Sequence, residues 1–149
     1  KEYLGPNSFE VEDPINEECL VKYFSLSDED DLKETIVDLI ISFLSMRLYV
    51  VTEYLVNKAK KLEVLDELSF SYYAYELNFK QERYFECLII LNDILNTPLS
   101  KEDRVCFVYL RAEAYYLKGD LEKAKQDYRW VKRNQRYYRL SNQRLIKLA

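Results

Sequence analysis

The amino-acid sequence predicts an all-helical fold. Three observations predict it. Of 149 residues only two are glycine and three proline, far fewer than a sandwich or barrel spends on its turns. Apolar residues recur at spacings of three and four through most of the chain. A helix–turn–helix pattern also returns after 37 residues, close to the period of stacked helical hairpins. Apolar residues make up 48% of the chain, enough for a packed core, and the length suits one domain.

The elements follow in order. Residues 1–16 carry the turn signals Gly5-Pro6-Asn7-Ser8 and Asp13-Pro14 and read as an irregular leader. One all-helical domain then spans 17–149. A short helix is expected near Glu17 to Phe24. Ser27-Asp28-Glu29-Asp30 reads as a serine cap followed by carboxylates suited to the positive helix end. Leu32, Ile36, Leu39, Ile40 and Phe43 continue that helix. Leu48, Val51, Leu55 and Leu62 keep helical spacing, but Arg47 to Val51 is rich in strand formers, and a break at Ser45-Met46 stays open. Asp66-Glu67 opens a helix to about Phe79, and Glu82-Arg83 opens its partner to about Leu95. Asn96-Thr97-Pro98 stops that one. Ser100 caps a helix from Lys101 to Lys118, Gly119-Asp120 breaks it, and the next runs from Leu121 to about Asn134. A last helix is expected near Leu140 to Leu148.

Composition narrows the chemistry. The chain has no histidine, so the commonest general base and the commonest metal ligand are both missing. Cys19, Cys87 and Cys106 are too far apart for a zinc-ligand pair, and their odd number does not suggest a disulfide framework. Cys87 and Cys106 read as small packing residues. There is no Gly-rich phosphate loop. Carboxylates such as Glu76, Glu82 and Glu86 sit on helix surfaces that carry such residues by default. Neither a cofactor, a metal nor catalysis is expected. No run approaches the ~18 apolar residues of a membrane span. The chain opens on Lys1 rather than methionine, so a missing signal peptide says nothing of compartment, and cytoplasmic and cell-envelope locations both fit.

Charge is polarised. Lys1 to Leu39 holds 12 acidic and 3 basic residues, and Arg129 to Ala149 holds 7 basic and no acidic ones. Solvated helix ends explain this in the plainest way. Alternatively, the basic end docks something acidic.

The segment Ala114-Tyr-Tyr-Leu-Lys-Gly-Asp-Leu-Glu-Lys-Ala124 resembles the centre of a tetratricopeptide repeat. Ala112 and Tyr115 match the small and large residues of that family's first helix, and Gly119-Asp120 its turn. Leu121, Ala124 and Tyr128 match its second helix. Arg111, Val108, Val131 and Arg136 depart from the pattern, standing where the family prefers leucine, tryptophan, alanine and proline. A weaker copy places Tyr84, Cys87, Leu91 and Ile94 like Leu121, Ala124, Tyr128 and Val131, with Ala74 and Leu77 like Ala112 and Tyr115. The resemblance puts repeats at about 68–98 and 102–136. It implies a stack of antiparallel hairpins with extra N-terminal helices and a C-terminal capping helix.

It also implies a function. The concave face of such a stack binds protein segments, and here it would show Tyr75, Asn78 and Phe79 from one repeat with Tyr109, Glu113 and Tyr116 from the next. Tyrosine gives large contact area at low entropic cost. An open groove fits the sequence, and so does one covered by a further helix or by the leader around Phe9. Tyr109 and Glu113 stand where chaperone-tail clamps of the family carry lysine and asparagine, which argues against that ligand. The expectation is a non-catalytic scaffold for a protein partner. The alternative is an RNA- or acidic-partner module using the tail Arg133, Arg136, Arg139 and Arg144, whose arginines and aromatics suit phosphates and bases. The acidic remainder of the chain would repel nucleic acid. Richness in tyrosine, leucine and lysine resembles proteins of bacteria with AT-rich genomes.

Overall fold

The computed structural model describes residues 15–149. The leader expected to be irregular therefore lies, apart from Ile15 and Asn16, outside the described residues. Eight helices and no strand occur among the described residues: α1 Glu17–Leu26, α2 Glu29–Ser45, α3 Tyr49–Lys61, α4 Glu67–Lys80, α5 Tyr84–Leu95, α6 Lys101–Lys118, α7 Leu121–Val131 and α8 Gln135–Leu148. None of them is long and apolar enough to cross a membrane. Each helix from α2 to α8 packs on its neighbours in the chain, and α1 leans on α3.

The caps correct two expectations. Asp28, not Ser27, caps α2, its carboxylate accepting from the N–H groups of Asp30 and Asp31. Ser27 instead ends α1 and donates its hydroxyl to the Tyr23 carbonyl. A carboxylate one residue later reaches the same free donors and adds charge at the positive helix end. At the other end of the chain, Asn134 caps α8 and starts it at Gln135, five residues before the expected Leu140.

The open question at Ser45-Met46 resolves as a break, and the strand formers that follow are helical. No side chain of Leu48 caps α3. Glu17 does so from another helix, its Oε1 accepting from Val50 N–H at 2.9 Å and Val51 N–H at 3.1 Å.

The turns repeat. After α2, α4 and α6 an N–H reaches back five residues, from Leu48 to Phe43, Arg83 to Asn78 and Asp120 to Tyr115. This bond wraps the helix end around one left-handed residue. That residue is Gly119 (φ 98°) in the last turn but Arg47 (φ 62°) and Glu82 (φ 58°) in the others, and Glu63 (φ 59°) repeats the arrangement after α3. Glycine therefore marks only one of four such turns.

Burial repeats in step with the turns. Thr52, Cys87 and Ala124 are fully buried, as are Ala59 and Val131, with Ile94 nearly so. Val56, Leu91 and Tyr128 form a third matching set, and Ile40, Tyr75 and Ala112 a fourth. Each set is spaced by 35 and then 37 residues in the sequence. Small residues at Ala112, Ala114 and Ala124 let α6 and α7 approach closely. Two apolar clusters result. One joins α1, α2 and α3 with Phe70 and Tyr73 of α4, and the other runs from Tyr75 to Tyr137. The helix α4 is apolar on opposite sides and serves both, as expected of a helix between two layers.

Candidate functional site

The six residues expected to line a groove do not line one open groove. Tyr75 is only 1% exposed and belongs to the core. Burial places Tyr75 where Ala112 stands, so the expected match of Ala74 to Ala112 is one residue out. One residue is a 100° rotation on a helix, which turns the ring from the surface to the interior. Asn78 donates its side-chain amide to the Ala74 carbonyl at 2.8 Å. Phe79 packs between Tyr75 and Tyr84, with ring centroids 5.2 and 5.6 Å away.

The α6 half is covered by α8. Tyr137 stacks on Tyr109 at 4.8 Å, and burial together with the Cys106 thiol pushes the Tyr137 hydroxyl up to about 12. Glu113 accepts from the Tyr128 hydroxyl and receives both Nε and Nη2 of Arg144, at 3.1 and 3.0 Å. The same guanidinium lies 4.1 Å from the centre of the Tyr116 ring. Burial, then this bond to Glu113, holds the Tyr128 hydroxyl well above its ordinary range. A cleft of about 620 Å³ remains beside Tyr109, Glu113, Leu140 and Arg144.

This also divides the basic tail. Arg144 is committed to Glu113. Arg133, Arg136 and Arg139 are exposed, and none pairs with a carboxylate among the described residues. Trp130 beside them is 40% exposed. The departure at Arg111 has its own explanation: its guanidinium takes both oxygens of Asp127 at 2.8 and 2.9 Å and reaches Asn92 at 3.1 Å. An ion pair tying α5, α6 and α7 replaces the apolar contact leucine would make.

A more open cleft, about 810 Å³, lies elsewhere, between α2 and α4. From α2 come Ile41, half exposed, and Leu44. From α4 come Tyr72, Tyr73, Glu76 and Lys80, which share one face because residues three and four apart are neighbours on a helix. Tyr49 and Tyr84 also line it, and the Tyr49 hydroxyl reaches the Lys80 carbonyl at 3.5 Å. Arg47 and Glu82, both exposed and on left-handed turns, complete the lining. Tyr72 and Tyr73 meet edge to face at 5.5 Å. Burial raises the Glu76 carboxyl above the usual range, and the nearby Lys80 opposes this only in part. Sequence reasoning had considered Glu76 and Glu82 only as surface carboxylates and had passed over Tyr49, Tyr72 and Tyr73. The adjacent Tyr72-Tyr73 pair was the available signal.

No three metal-binding side chains converge among the described residues. Cys87 is fully buried, its thiol 3.6 Å from the Tyr75 carbonyl, and burial pushes it up to about 12, which keeps it protonated and unreactive. What the cleft offers is aromatic contact area with a few charges. No known family, characterised protein or solved structure matches the chain.

Proposed function

We propose that this chain is a non-catalytic protein-interaction module of tetratricopeptide type, which docks a segment of a partner protein in the cleft between α2 and α4. On this reading α2–α3, α4–α5 and α6–α7 are successive hairpins and α8 is the capping helix. The five-residue back bonds at Leu48, Arg83 and Asp120 support it, as do the buried sets that recur with them. The observation that carries the docking surface is the contrast between two tyrosine-bearing stretches. At α6 the rings of Tyr109 and Tyr116 already carry Tyr137 and Arg144 of α8. In the α2–α4 cleft Tyr72 is 39% exposed and Ile41 50%, and tyrosine left at a surface suits contact with a partner.

The test is capture from native extract with matched variants. Tyr72→Ala should lose a partner that the wild type retains, with helical content unchanged. Equal capture by both proteins would remove the docking surface from the α2–α4 cleft.

A second reading rests on the exposed arginines Arg133, Arg136 and Arg139 beside Trp130, which suit RNA or an acidic protein. Salt separates the two. Phosphate binding through several arginines weakens steeply with salt, whereas contact with a cleft of tyrosines and a few charges weakens less.

A further inference from the structure

Glu76 is a carboxylate partly withdrawn from water. None of the ion pairs or side-chain hydrogen bonds among the described residues involves it. An anion so placed is costly unless a cation joins it. Among the described residues Lys80, one turn further on, is exposed and makes no ion pair, and Arg47 in the lining is likewise exposed and makes none.

The molecule contains the completed form of this arrangement. Tyr109 and Glu113 stand 37 residues after Tyr72 and Glu76, the same step that relates the buried sets of α4–α5 to those of α6–α7. At Glu113 a guanidinium is in place: Arg144 arrives from α8, 3.0 Å from the carboxylate and 4.1 Å from the centre of the Tyr116 ring. The position of Tyr116 is taken by Phe79 in the earlier copy, an aromatic residue again. At Glu76 no arginine of the described chain arrives.

We infer that the α2–α4 cleft receives an arginine side chain from the docked partner, with Glu76 as its anion and the tyrosines of α4 as its aromatic wall. This rests on the docking reading above and names the residue the docked segment must present. The ring faces of tyrosine attract a guanidinium. Ile41 and Leu44 from α2 offer apolar surface for its methylene stem, which packs well against such groups. Glu82 is also acidic, but it is exposed and keeps its hydration. The α2 wall distinguishes this pocket from the one Arg144 fills, because only here is the covering group supplied from outside.

The experiment is an amide-detected NMR titration of the full chain with two small probes, blocked arginine (N-acetyl, C-methylamide) and its uncharged isostere, blocked citrulline. Saturable shifts of Tyr72, Tyr73 and Glu76 with the arginine probe are expected, at least tenfold weaker with citrulline. Glu76→Gln should weaken the arginine probe by a similar factor, and its spectrum reports directly whether the variant is folded. Lys80→Gln removes a competing cation and should strengthen binding. Equal binding of both probes, an unaffected Glu76→Gln variant, or no shift in the cleft would each overturn the arginine subsite. None of these would overturn the docking cleft, which stands or falls on capture by the Tyr72→Ala variant.

Discussion

Arg144 of α8 and Glu113 of α6, 31 residues apart, form a two-bond ion pair that fastens the last helix across the face of its predecessor but one. Their side chains are 28% and 15% exposed, so the pair is partly screened. Few residues of α8 are buried, chiefly Tyr137 and Ser141, and the charge-assisted bonds therefore matter. Arg144→Ala should cost about 2 kcal/mol. Amide exchange should rise along α8 before α4 or α5 responds. A double-mutant cycle with Glu113→Gln should return a coupling of about 1 kcal/mol, and independent effects in that cycle would show that α8 is held by packing alone.

The cap on α3 makes a separate prediction. Glu17 accepts from the N–H groups of Val50 and Val51, a job normally done by the residue just before a helix. Glu17→Ala should destabilise by about 1 kcal/mol, with the loss read as faster amide exchange at Val50 and Val51. Unchanged exchange at those two amides would show that water caps α3 as well as Glu17 does.

This cap also explains what was legible in the sequence. Where a helix carries its own punctuation, as Asp66 for α4 or Ser100 for α6, its start could be read to within a residue. The start of α3 could not, because its cap lies 33 residues away and its local residues favour strand. The helix ends at Arg47, Glu63 and Glu82 were hard to place for a related reason: ordinary residues adopt the left-handed conformation that glycine advertises at Gly119. The candidate site failed more sharply. Matching Ala74 to Ala112 by residue type put Tyr75 on the surface, while burial matches Tyr75 to Ala112 and brings Tyr72 and Glu76 into the cleft. Amphipathic spacing could not settle that register, because α4 buries opposite sides against two cores.

The left-handed residues themselves can be tested. A non-glycine residue in this conformation is strained by the contact of its Cβ with the backbone. Glu63 is exposed and makes no ion pair among the described residues, so little is lost with its side chain. Glu63→Gly should stabilise by about 0.5–1 kcal/mol, the relief of strain outweighing the added freedom of the unfolded chain. A lower melting temperature would mean that the turn after α3 tolerates its glutamate without strain.

Close packing at the recurring small positions gives a fourth expectation. Cys87 and Ala124 are both fully buried at matching places in α5 and α7. Ala124→Leu should overpack the α6–α7 crossing and cost about 1–3 kcal/mol in urea melts. Cys87→Ser should also destabilise, because a hydroxyl costs more than a thiol to take out of water at this fully buried position. An unchanged melting temperature in Ala124→Leu would remove the tight crossing on which the repeat reading leans.

The last prediction concerns pH and Glu76. Burial raises this carboxyl above its ordinary value of 4.5, so folding favours the protonated form. The sign follows by linkage. The contribution of Glu76 to stability is fully present below the unfolded value and is lost as pH rises through the raised folded value. At pH 7 the ionised side chain therefore weakens the fold, and Glu76→Gln should melt at a higher temperature than the wild type. The difference between the two proteins should shrink as pH falls and vanish below about 4.5, where both carry a neutral group. Taking the difference cancels the other carboxylates, including Asp66, whose bonds to Ser69 act in the opposite direction. A melting temperature for Glu76→Gln equal to or below the wild type at pH 7 would show that the carboxylate is well satisfied in the folded chain. If the variant is instead more stable while losing the arginine probe, the residue that weakens the fold is the one that gives the cleft its ligand.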